Sequence, residues 1–244
     1  MTMEQINVDQ ELERLKQQMA VKSTGRKAMQ NGYEFYTPVY NEPITVEKKV
    51  DLSVYGIKGR YVDMTFDKLK AQGAPVEDRQ AYNNAFKYGV HVREHIANGR
   101  GLIMIGPVGT GKTSLAISIL RKAIEQGYNG YLISMTSLFD TLLTLSKGPS
   151  EHYLKFENRI RNSPLLVLDD FGAEYASEWV QQKVASIIAD RVERSKSTII
   201  TSNLSVEQIK KAYDSRVYDR LKGTSFLIAF KGKSQRQPLD INEI

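Results

Sequence analysis

The chain has 244 residues, 41% of them hydrophobic, no cysteine and a formal net charge of +6. The lack of cysteine excludes disulfides and thiolate zinc sites and fits a reducing, cytoplasmic setting. No stretch approaches the roughly 18 consecutive apolar residues of a membrane helix, and the polar N-terminus has no apolar secretion signal, so we expect a soluble intracellular protein. The mild basic excess favours polyanionic partners such as nucleic acid only weakly.

Residues 1–60 are expected to form a small helical and extended N-terminal region. Within 4–20, an apolar stripe recurs at helical spacing and lies on one face of a helix; it consists of Val8, Leu12, Leu15 and Met19. This stripe could pack on the protein's own core or dock on a partner helix, and the sequence leaves both open.

Residues 21–60 change in character. They contain Gly, Asn and two prolines without a sustained period, which predicts a linker or an extended arm. The arm is unusually aromatic, with Tyr33, Phe35, Tyr36 and Tyr40. So many aromatic residues favour an arm that is ordered against another surface.

A regular alternation of helices and strands follows. Residues 76–98 carry a helical period through Ala81, Ala85, Tyr88, Val92 and Ile96. Five apolar runs are candidate strands, at 101–106, 130–135, 165–170, 198–203 and 225–230. Continuous apolar strands that alternate with helices indicate a parallel sheet covered on both faces. We therefore predict an α/β domain over 61–244, with a five-stranded parallel sheet flanked by helices.

A phosphate-binding loop lies between the first of these strands and the next helix. GPVGTGKT matches G-x-x-x-x-G-K-[ST] in full. Its glycines let backbone N–H groups turn toward phosphates, and the helix N-terminus adds its positive dipole end. Lys112 is expected to reach the β- and γ-phosphates of ATP, and the Thr113 hydroxyl to bind Mg²⁺. The predicted nucleotide-binding residues are Gly106, Pro107, Val108, Gly109, Thr110, Gly111, Lys112, Thr113 and Ser114.

Two carboxylates follow the buried run LLVL, where ligands sit in open α/β sheets. Asp169 is expected to hold Mg²⁺ through water, and Asp170 to orient or polarise the attacking water. A helix N-cap pair is the alternative for these two residues. Asn203, which closes the next strand in Thr201-Ser202-Asn203, reaches the attacking water or the γ-phosphate, or else belongs to an ordinary strand-ending turn.

As a set, these motifs resemble a known family. GPVGTGKT, LLVLDDFGAEYASEW, IITSNL, SRVYDRL and GKSQR resemble, in order and rough spacing, the AAA+ helicase loaders of the bacterial DnaC/DnaI type, with the transposition ATPase IstB as a close relative. The resemblance covers about 61–238. The phrase DDFGAE followed by S-x-W looks closest to the DnaI type. The short spacing from TSN to DRL is similar to DnaC and lacks the longer insertion common in IstB.

The resemblance implies a role for each matching residue. Asn203 matches the sensor-1 position, and Arg236 matches the sensor-2 arginine at the nucleotide. Arg220 matches the arginine finger that reaches the nucleotide of a neighbouring subunit, with Arg216 as the fallback. A guanidinium offers a planar fork of donors suited to phosphate oxygens. A position on a solvated helix face would also explain any one of these arginines. Thr65-Phe66-Asp67 resembles the segment that opens AAA+ domains near the adenine, or is a simple strand-to-turn piece.

The chain departs from the family pattern in two respects. Most AAA+ proteins have Asp-Glu where this chain has Asp169-Asp170, and the shorter carboxylate is expected to make hydrolysis slow and regulatory, a feature shared by the DnaI type. DnaI-type loaders also carry a cysteine-rich zinc module, which this chain cannot build. We therefore expect no zinc, and partner docking through the N-terminal stripe and the aromatic arm.

Loaders of this family bind single-stranded DNA inside a spiral of subunits. In the loop after the two aspartates, Tyr175 and Trp179 are candidates to stack on bases and Ser177 to bond a phosphate. Trp179 could instead pack the following helix on the sheet. A second candidate patch, or else a solvated charged face, comprises Lys147, Lys155, Arg159 and Arg161.

One competing motif is a zinc-protease pattern. His91, Glu94 and His95 fit H-x-x-E-H, and the histidines share a helical face. No third ligand is marked and a phosphate-binding loop follows, so we expect solvent-exposed histidines.

The sequence thus predicts an ATP-dependent loader of a hexameric, DnaB-type replicative helicase onto single-stranded DNA in replication initiation. It is expected to use ATP and Mg²⁺ and to assemble into a hexamer or spiral in the bacterial cytoplasm. One alternative is an IstB-like transposition ATPase that acts on duplex DNA with a transposase. Another is a poorly hydrolysing ATP switch that serves as a scaffold.

Overall fold

The structure is a computed structural model of the whole chain, and it describes residues 26–30, 33–37, 50–172, 178–213 and 215–236. The chain divides into two compact units, Met1–Val50 and Asp51–Ile244. The second unit includes residues 51–60, which lie ahead of the boundary predicted at Tyr61. Within the described part, no helix is long and apolar enough to cross a membrane.

The described part of the first unit is a β-hairpin. Strand β1 (Arg26–Gln30) pairs antiparallel with β2 (Tyr33–Thr37), so part of the predicted linker forms regular structure. The two residues between the strands are Asn31 and Gly32, the dipeptide that most strongly favours a two-residue hairpin connection. The linker or extended arm predicted for residues 21–60 therefore contains a hairpin, which the Asn-Gly dipeptide indicates. The predicted helix at 4–20 and Tyr40 lie outside the described residues.

The second unit alternates helices and strands as predicted. In chain order its elements are α1 (Phe66–Gln72), α2 (Arg79–Val90), α3 (Val92–Ala97), β3 (Gly101–Ile105), α4 (Lys112–Glu125), β4 (Gly130–Ser134), α5 (Met135–Ser146), α6 (Ser150–Asn162), β5 (Leu165–Asp169), α7 (Glu178–Glu193), β6 (Ser197–Ser202), α8 (Val206–Ala212), α9 (Ser215–Thr224) and β7 (Ser225–Ala229). Short 3-10 turns precede α1 and α2, at Leu52–Tyr55, Gly59–Tyr61 and Val76–Asp78. The helix predicted at 76–98 is broken at His91 into α2 and α3.

All five predicted strands form one parallel sheet in the order β4-β5-β6-β3-β7. Successive side chains of a strand point to opposite faces, and the sheet has a separate core on each. Leu102 and Met104 of β3 belong to the core under α2, α3 and α4. Ile103 belongs to the core under α5, α7 and α9. The predicted five-stranded α/β fold is therefore confirmed, with helices on both faces.

Residues 51–60 pack on the first of these cores. Ile57 is fully buried there. Gly56 has a φ of +83°, and a Cβ at this position would collide with the carbonyl of Leu132 in β4. Because only glycine fits that close approach, this segment is an integral part of the second unit.

A buried arginine fixes the ends of the sheet opposite the predicted site. Arg191 of α7 is fully buried, and its guanidinium donates to the carbonyls of Ile160, Ser163 and Ser197 and to the Thr198 hydroxyl. These acceptors satisfy the planar fork of donors that burial would otherwise leave without partners. The arginine thereby ties the start of β5 to the start of β6, the strands whose far ends carry the two aspartates and Asn203.

Candidate nucleotide-binding site

The predicted phosphate-binding loop depends on three glycines with positive φ angles and close neighbours. It leaves β3 after Ile105 and enters α4 at Lys112. Gly106, Gly109 and Gly111 have φ values of +140°, +79° and +88°. A Cβ on them would collide with Phe230, Ser234 and Tyr82, respectively. The loop therefore has the backbone conformation and the open inner surface that a phosphate cradle needs.

Lys112 lies inside this loop. It is only 6% exposed, and its Nζ donates to the carbonyl oxygens of Gly106 at 2.8 Å and Pro107 at 2.7 Å. Burial lowers the pKa of the Lys112 ammonium, while the carboxylates of Asp170 and Asp169 act in the opposite direction. Lys112 is thus placed among the groups that would meet a phosphate chain.

Asp169 is held by hydroxyls from two neighbouring elements. Thr113 Oγ1 at the start of α4 donates to Asp169 Oδ1 at 2.8 Å, and Thr201 Oγ1 of β6 donates to the same oxygen at 2.5 Å. Burial raises the pKa of the Asp169 carboxyl, and the two hydroxyl donors oppose that effect. A hydroxyl and a carboxylate oxygen this close together are hard donors of the kind Mg²⁺ prefers, so the residues fit the ion.

Thr201 was not among the predicted site residues, although it belongs to the Thr201-Ser202-Asn203 segment. Besides its bond to Asp169, its Oγ1 accepts the backbone N–H of Asp170 at 3.1 Å. The hydroxyl thus holds both aspartates. Its position at the end of the strand next to β5 is the sequence feature that identifies Thr201 as a candidate site residue.

Asp170 and Asn203 come together at the mouth of the site. Asp170 has a φ of +55°, which few residues other than glycine adopt, and asparagine and aspartate are among those that do. Asn203 Nδ2 donates to Asp170 Oδ1 at 3.4 Å. Asp170 lines the same cleft as Lys112 and Thr113. A carboxylate and an amide are therefore directed at the space next to the phosphate-binding loop.

The cleft has a volume of about 470 Å³ and is lined by charged, polar and apolar residues. We call the part of the lining that residues 108–114, Asp170, Asn203 and Arg236 form the phosphate end. The rest of the lining consists of Tyr61, Met64, Leu69 and Tyr82, together with the polar Arg60, Gln72 and Gln235. Of the predicted Thr65-Phe66-Asp67 segment, Thr65 caps α1 and Phe66 packs edge-on against Phe86, so its neighbours rather than its own side chains line the cleft. The phosphate-binding loop suits a phosphate chain, and the aromatic and apolar side chains of the lining suit a flat base.

The three predicted arginines fall in different places. Arg236 lines the phosphate end of the cleft. Arg216 and Arg220 are exposed, one turn apart on α9, and neither is among the described residues that line the cleft. Residues four apart share a helical face, so both side chains lie on one exposed side of α9.

The predicted DNA-contacting loop is described only in part. Tyr175 and Ser177 lie outside the described residues, as does Glu174, the next carboxylate after Asp169 and Asp170 and the candidate to orient the attacking water if Asp170 does not. Trp179, near the start of α7, is 40% exposed and packs edge-on against the buried Phe139, with ring centroids 5.8 Å apart. Its ring therefore contributes to packing and still offers a surface to a ligand.

Not every side chain of the second basic cluster is available to contact nucleic acid. Lys147 is exposed, and the exposed Lys155 pairs with Glu151 at 2.5 Å. The guanidinium of Arg159 lies over the Tyr131 ring, 3.9 Å from its centroid. Arg161 donates hydrogen bonds to Ser186, and it forms ion pairs with Glu157 at 3.0 Å and Asp190 at 3.5 Å. These contacts favour a structural role for both arginines.

The H-x-x-E-H pattern does not form a metal site. Among the described residues, no group of three His, Cys, Asp or Glu side chains could hold a metal ion. His91 is exposed as predicted, but the exposure predicted for His95 is wrong. His95 is partly buried, because its ring stacks on Tyr88 with centroids 4.2 Å apart. Burial lowers the pKa of His95, which favours a neutral ring.

Comparison with known proteins agrees with this geometry. The chain is 26% identical over 184 residues to the replicative helicase loader DnaC of Escherichia coli K12, covering 74% of this chain and 72% of that protein. It is 28% identical over 194 residues to an insertion sequence IS21-like putative ATP-binding protein of Bacteroides fragilis, covering 74% and 73%. A crystal structure of the DnaC helicase loader superposes with a TM-score of 0.63 at 28% identity, covering 71% of this chain and all of that one.

The phosphate-binding loop, the two aspartates and the parallel sheet together form an AAA+ ATPase fold with an ATP site. The sequence profile of the family described as IstB-like ATP binding protein matches residues 89–239, which is more than half of the chain. That match includes the loop, both aspartates, Asn203 and all three arginines. The chain therefore belongs to the family of IstB-like ATP-binding proteins.

Proposed function

We propose that this protein is an ATP-dependent loader that places a hexameric, DnaB-type replicative helicase on single-stranded DNA. The observation that carries the proposal is the pairing of a full phosphate and carboxylate site with two exposed arginines on α9, in a chain similar to DnaC over 74% of its length. A nucleotide site that needs a neighbour to be completed suits a protein that works as a ring or spiral.

ATP is the proposed substrate, and the chain's residues divide the work of hydrolysis. Lys112 exchanges its bonds to two loop carbonyls for bonds to phosphate oxygens, which are stronger because both partners are charged. Mg²⁺ would be held by Thr113 and Asp169 and would neutralise charge on the phosphates. Asp170 and Asn203 orient the attacking water. Because the Asp170 carboxylate is shorter than the usual glutamate, turnover is slow and marks the timing of loading.

Two further functions are supported by particular observations. The similarity to an IS21-like ATP-binding protein favours a transposition ATPase acting on duplex DNA. Against it, only the short helix α8 separates β6 from α9, as expected for the loaders. The aspartate at 170 favours a third possibility, a poorly hydrolysing switch that acts as a scaffold.

A two-part experiment tests the loader. First, the full chain is used as bait in a bacterial lysate with ATP, and captured proteins are identified by mass spectrometry. A DnaB-type helicase is expected, and Lys112→Ala serves as the matched bait that should lose ATP-dependent capture. Second, ATP turnover is measured alone, with single-stranded DNA and with duplex DNA. Capture of a transposase with stimulation by duplex DNA would replace the loader by the transposition ATPase, whereas turnover indifferent to DNA would favour the scaffold.

The N-terminal unit is the proposed helicase-docking part. The ATPase unit contains both cores of the sheet and begins at Asp51, so a chain starting there retains Ile57 and should fold and bind ATP. It should no longer capture the helicase. Capture by this shortened chain at the full-length level would move the docking surface to the ATPase unit.

A further inference from the structure

The strongest unassigned group in the described residues is a buried carboxylate at the N-terminal end of α2. Asp78, immediately before the helix, is 1% exposed. Its Oδ1 accepts the backbone N–H groups of Lys231 at 2.7 Å and Gly232 at 3.0 Å. These partners lie more than 150 positions away in the sequence. Burying a carboxylate is costly unless it is hydrogen-bonded. Asp78 Oδ2 is buried without a hydrogen-bond partner among the described residues, so the two amide donors at Oδ1 hold the carboxylate and indicate a specific anchor.

The anchored residues open the segment that leads to Arg236. After β7, Phe230 N donates to Ile105 O at 2.8 Å, and then come the two amides held by Asp78. Further on, Gln235 N donates to Gly109 O at 3.0 Å, directly on the phosphate-binding loop. The next residue is Arg236, which lines the cleft. The segment 230–236 therefore forms a strap that crosses from the sheet to the loop.

Tyr82 ties the same helix to the loop and to the strap. It lies one turn after Asp78 on α2 and is buried. Its hydroxyl donates to Thr110 O at 3.1 Å and accepts from Gln235 Nε2 at 3.3 Å. Residues four apart share one face of a helix, so this face of α2 supports both the loop and the strap.

We propose that Asp78 is the positioning residue for Arg236. By holding the Lys231 and Gly232 amides, it sets the path of the strap, and with it the point from which Arg236 enters the phosphate end of the cleft. Arg236 itself is exposed, and its backbone N–H bonds only the nearby Ser234 Oγ, at 3.3 Å, among the hydrogen bonds the structure describes for it. Its position thus depends on anchors earlier in the strap. The proposal rests on the nucleotide site of the proposed function.

A double-mutant cycle tests whether Asp78 acts through Arg236. The variants are Asp78→Ala, Arg236→Ala and the double substitution, and the readouts are ATP affinity, KM and kcat. Asp78→Ala and Arg236→Ala should each weaken ATP binding about tenfold, the typical scale for one charged hydrogen-bond partner. The double variant should be no weaker than Arg236→Ala alone, because residues that act as one unit are not additive. Fully additive losses would overturn the proposal.

Three controls separate positioning from a loss of fold. Asp78→Asn keeps an acceptor oxygen for both amides and should restore most of the affinity. Asp140→Ala removes an exposed aspartate from α5 and should change nothing. The thermal midpoint without nucleotide reports folding, and if Asp78→Ala does not fold, Asp78→Ser enters the same cycle, because a serine hydroxyl is too short to hold both amides.

The outcomes also separate this proposal from the nucleotide site itself. A wild-type chain that fails to bind ATP would overturn both. The second outcome is that the wild-type chain binds ATP, Lys112→Ala abolishes that binding, and the losses in the cycle are additive. This outcome would leave the nucleotide site intact and refute only the role of Asp78. An Asn variant as weak as the Ala variant would likewise refute an anchor based on the two amide bonds.

Discussion

The phosphate end of the cleft and the exposed face of α9 differ in how much of a working site one chain supplies. At the phosphate end, Lys112 at the start of α4 bonds to the carbonyl oxygens of the phosphate-binding loop. Asp169 at the end of β5 accepts hydrogen bonds from Thr113 of α4 and Thr201 of β6. On α9, Arg216 and Arg220 are exposed and outside the cleft lining. A single chain can therefore be expected to bind ATP, whereas we propose that hydrolysis also requires an arginine from a neighbouring copy.

The position of α9 is nevertheless well defined. Val217, Tyr218 and Leu221 are buried on its inner side, in the core that α9 shares with α7. With the apolar residues turned inward, the arginines four apart are carried on a fixed outer face. Such a face suits the proposed role of a guanidinium that acts on a neighbouring copy. This comparison predicts that binding and turnover can be separated by mutation.

The largest effect is expected for Arg220→Ala. The variant keeps its own pocket and should bind ATP nearly normally, but turnover should fall on the order of a thousandfold, the typical contribution of an arginine finger. Steady-state ATPase rates and equilibrium ATP binding measure the two properties separately.

Mixing shows whether Arg220 acts between chains. Arg220→Ala supplies an intact pocket without a finger, and Lys112→Ala supplies a finger without an intact pocket. Some interfaces in a mixed assembly would combine the intact halves, so part of the activity should return. If no ratio restores activity while mixed assembly is confirmed independently, Arg220 is not the finger and Arg216 is tested in the same way.

Asp170→Asn should have the next largest effect. The amide cannot accept a proton from water, so turnover should fall about 100-fold or more, as when a general base is lost. ATP affinity should stay near the wild-type value because Lys112, Thr113 and Asp169 are unchanged. Single-turnover rates with bound ATP provide the measurement. If turnover persists, Asp170 does not position the water and Glu174 becomes the candidate.

Lys112→Ala should affect ATP binding itself, because the change lies at the phosphate end of the cleft. Loss of charge-assisted bonds to the phosphates is expected to weaken ATP binding roughly 10- to 100-fold. Isothermal calorimetry measures this, with Lys87→Ala as a matched control on α2, outside the cleft lining. An unchanged ATP affinity in Lys112→Ala would refute the assignment of the phosphate-binding loop.

The sequence predicted the phosphate end well because its signals are local. The apolar runs of β3, β5 and β6, the glycine spacing of the loop and the paired aspartates are each contained within a few residues. Long-range partners were not predictable. Thr201 holds Asp169 across neighbouring strands, and Asp78 holds amides at the far end of the chain. The hairpin in the N-terminal unit differs, because its Asn-Gly dipeptide is a local signal of the turn, whereas its strands lack the sustained apolar alternation of a half-buried strand.

The smallest effect is expected at Trp179, where packing and ligand contact compete. One side of the ring contacts Phe139 and 40% of the side chain is exposed, so the residue can serve both purposes. Trp179→Ala should weaken binding of single-stranded DNA about fivefold or more, since a stacked base contributes about 1–3 kcal/mol. Trp179→Phe keeps an aromatic face and should retain most of that affinity. Fluorescence anisotropy with a labelled oligonucleotide measures binding, and the thermal midpoint measures packing.

Phe226→Ala is the matched control, because Phe226 is similarly exposed, at 47%, but lies on the edge strand β7. If Trp179→Ala lowers the thermal midpoint and leaves DNA affinity unchanged, Trp179 only packs α7 on the sheet, and the stacking surface must be sought elsewhere.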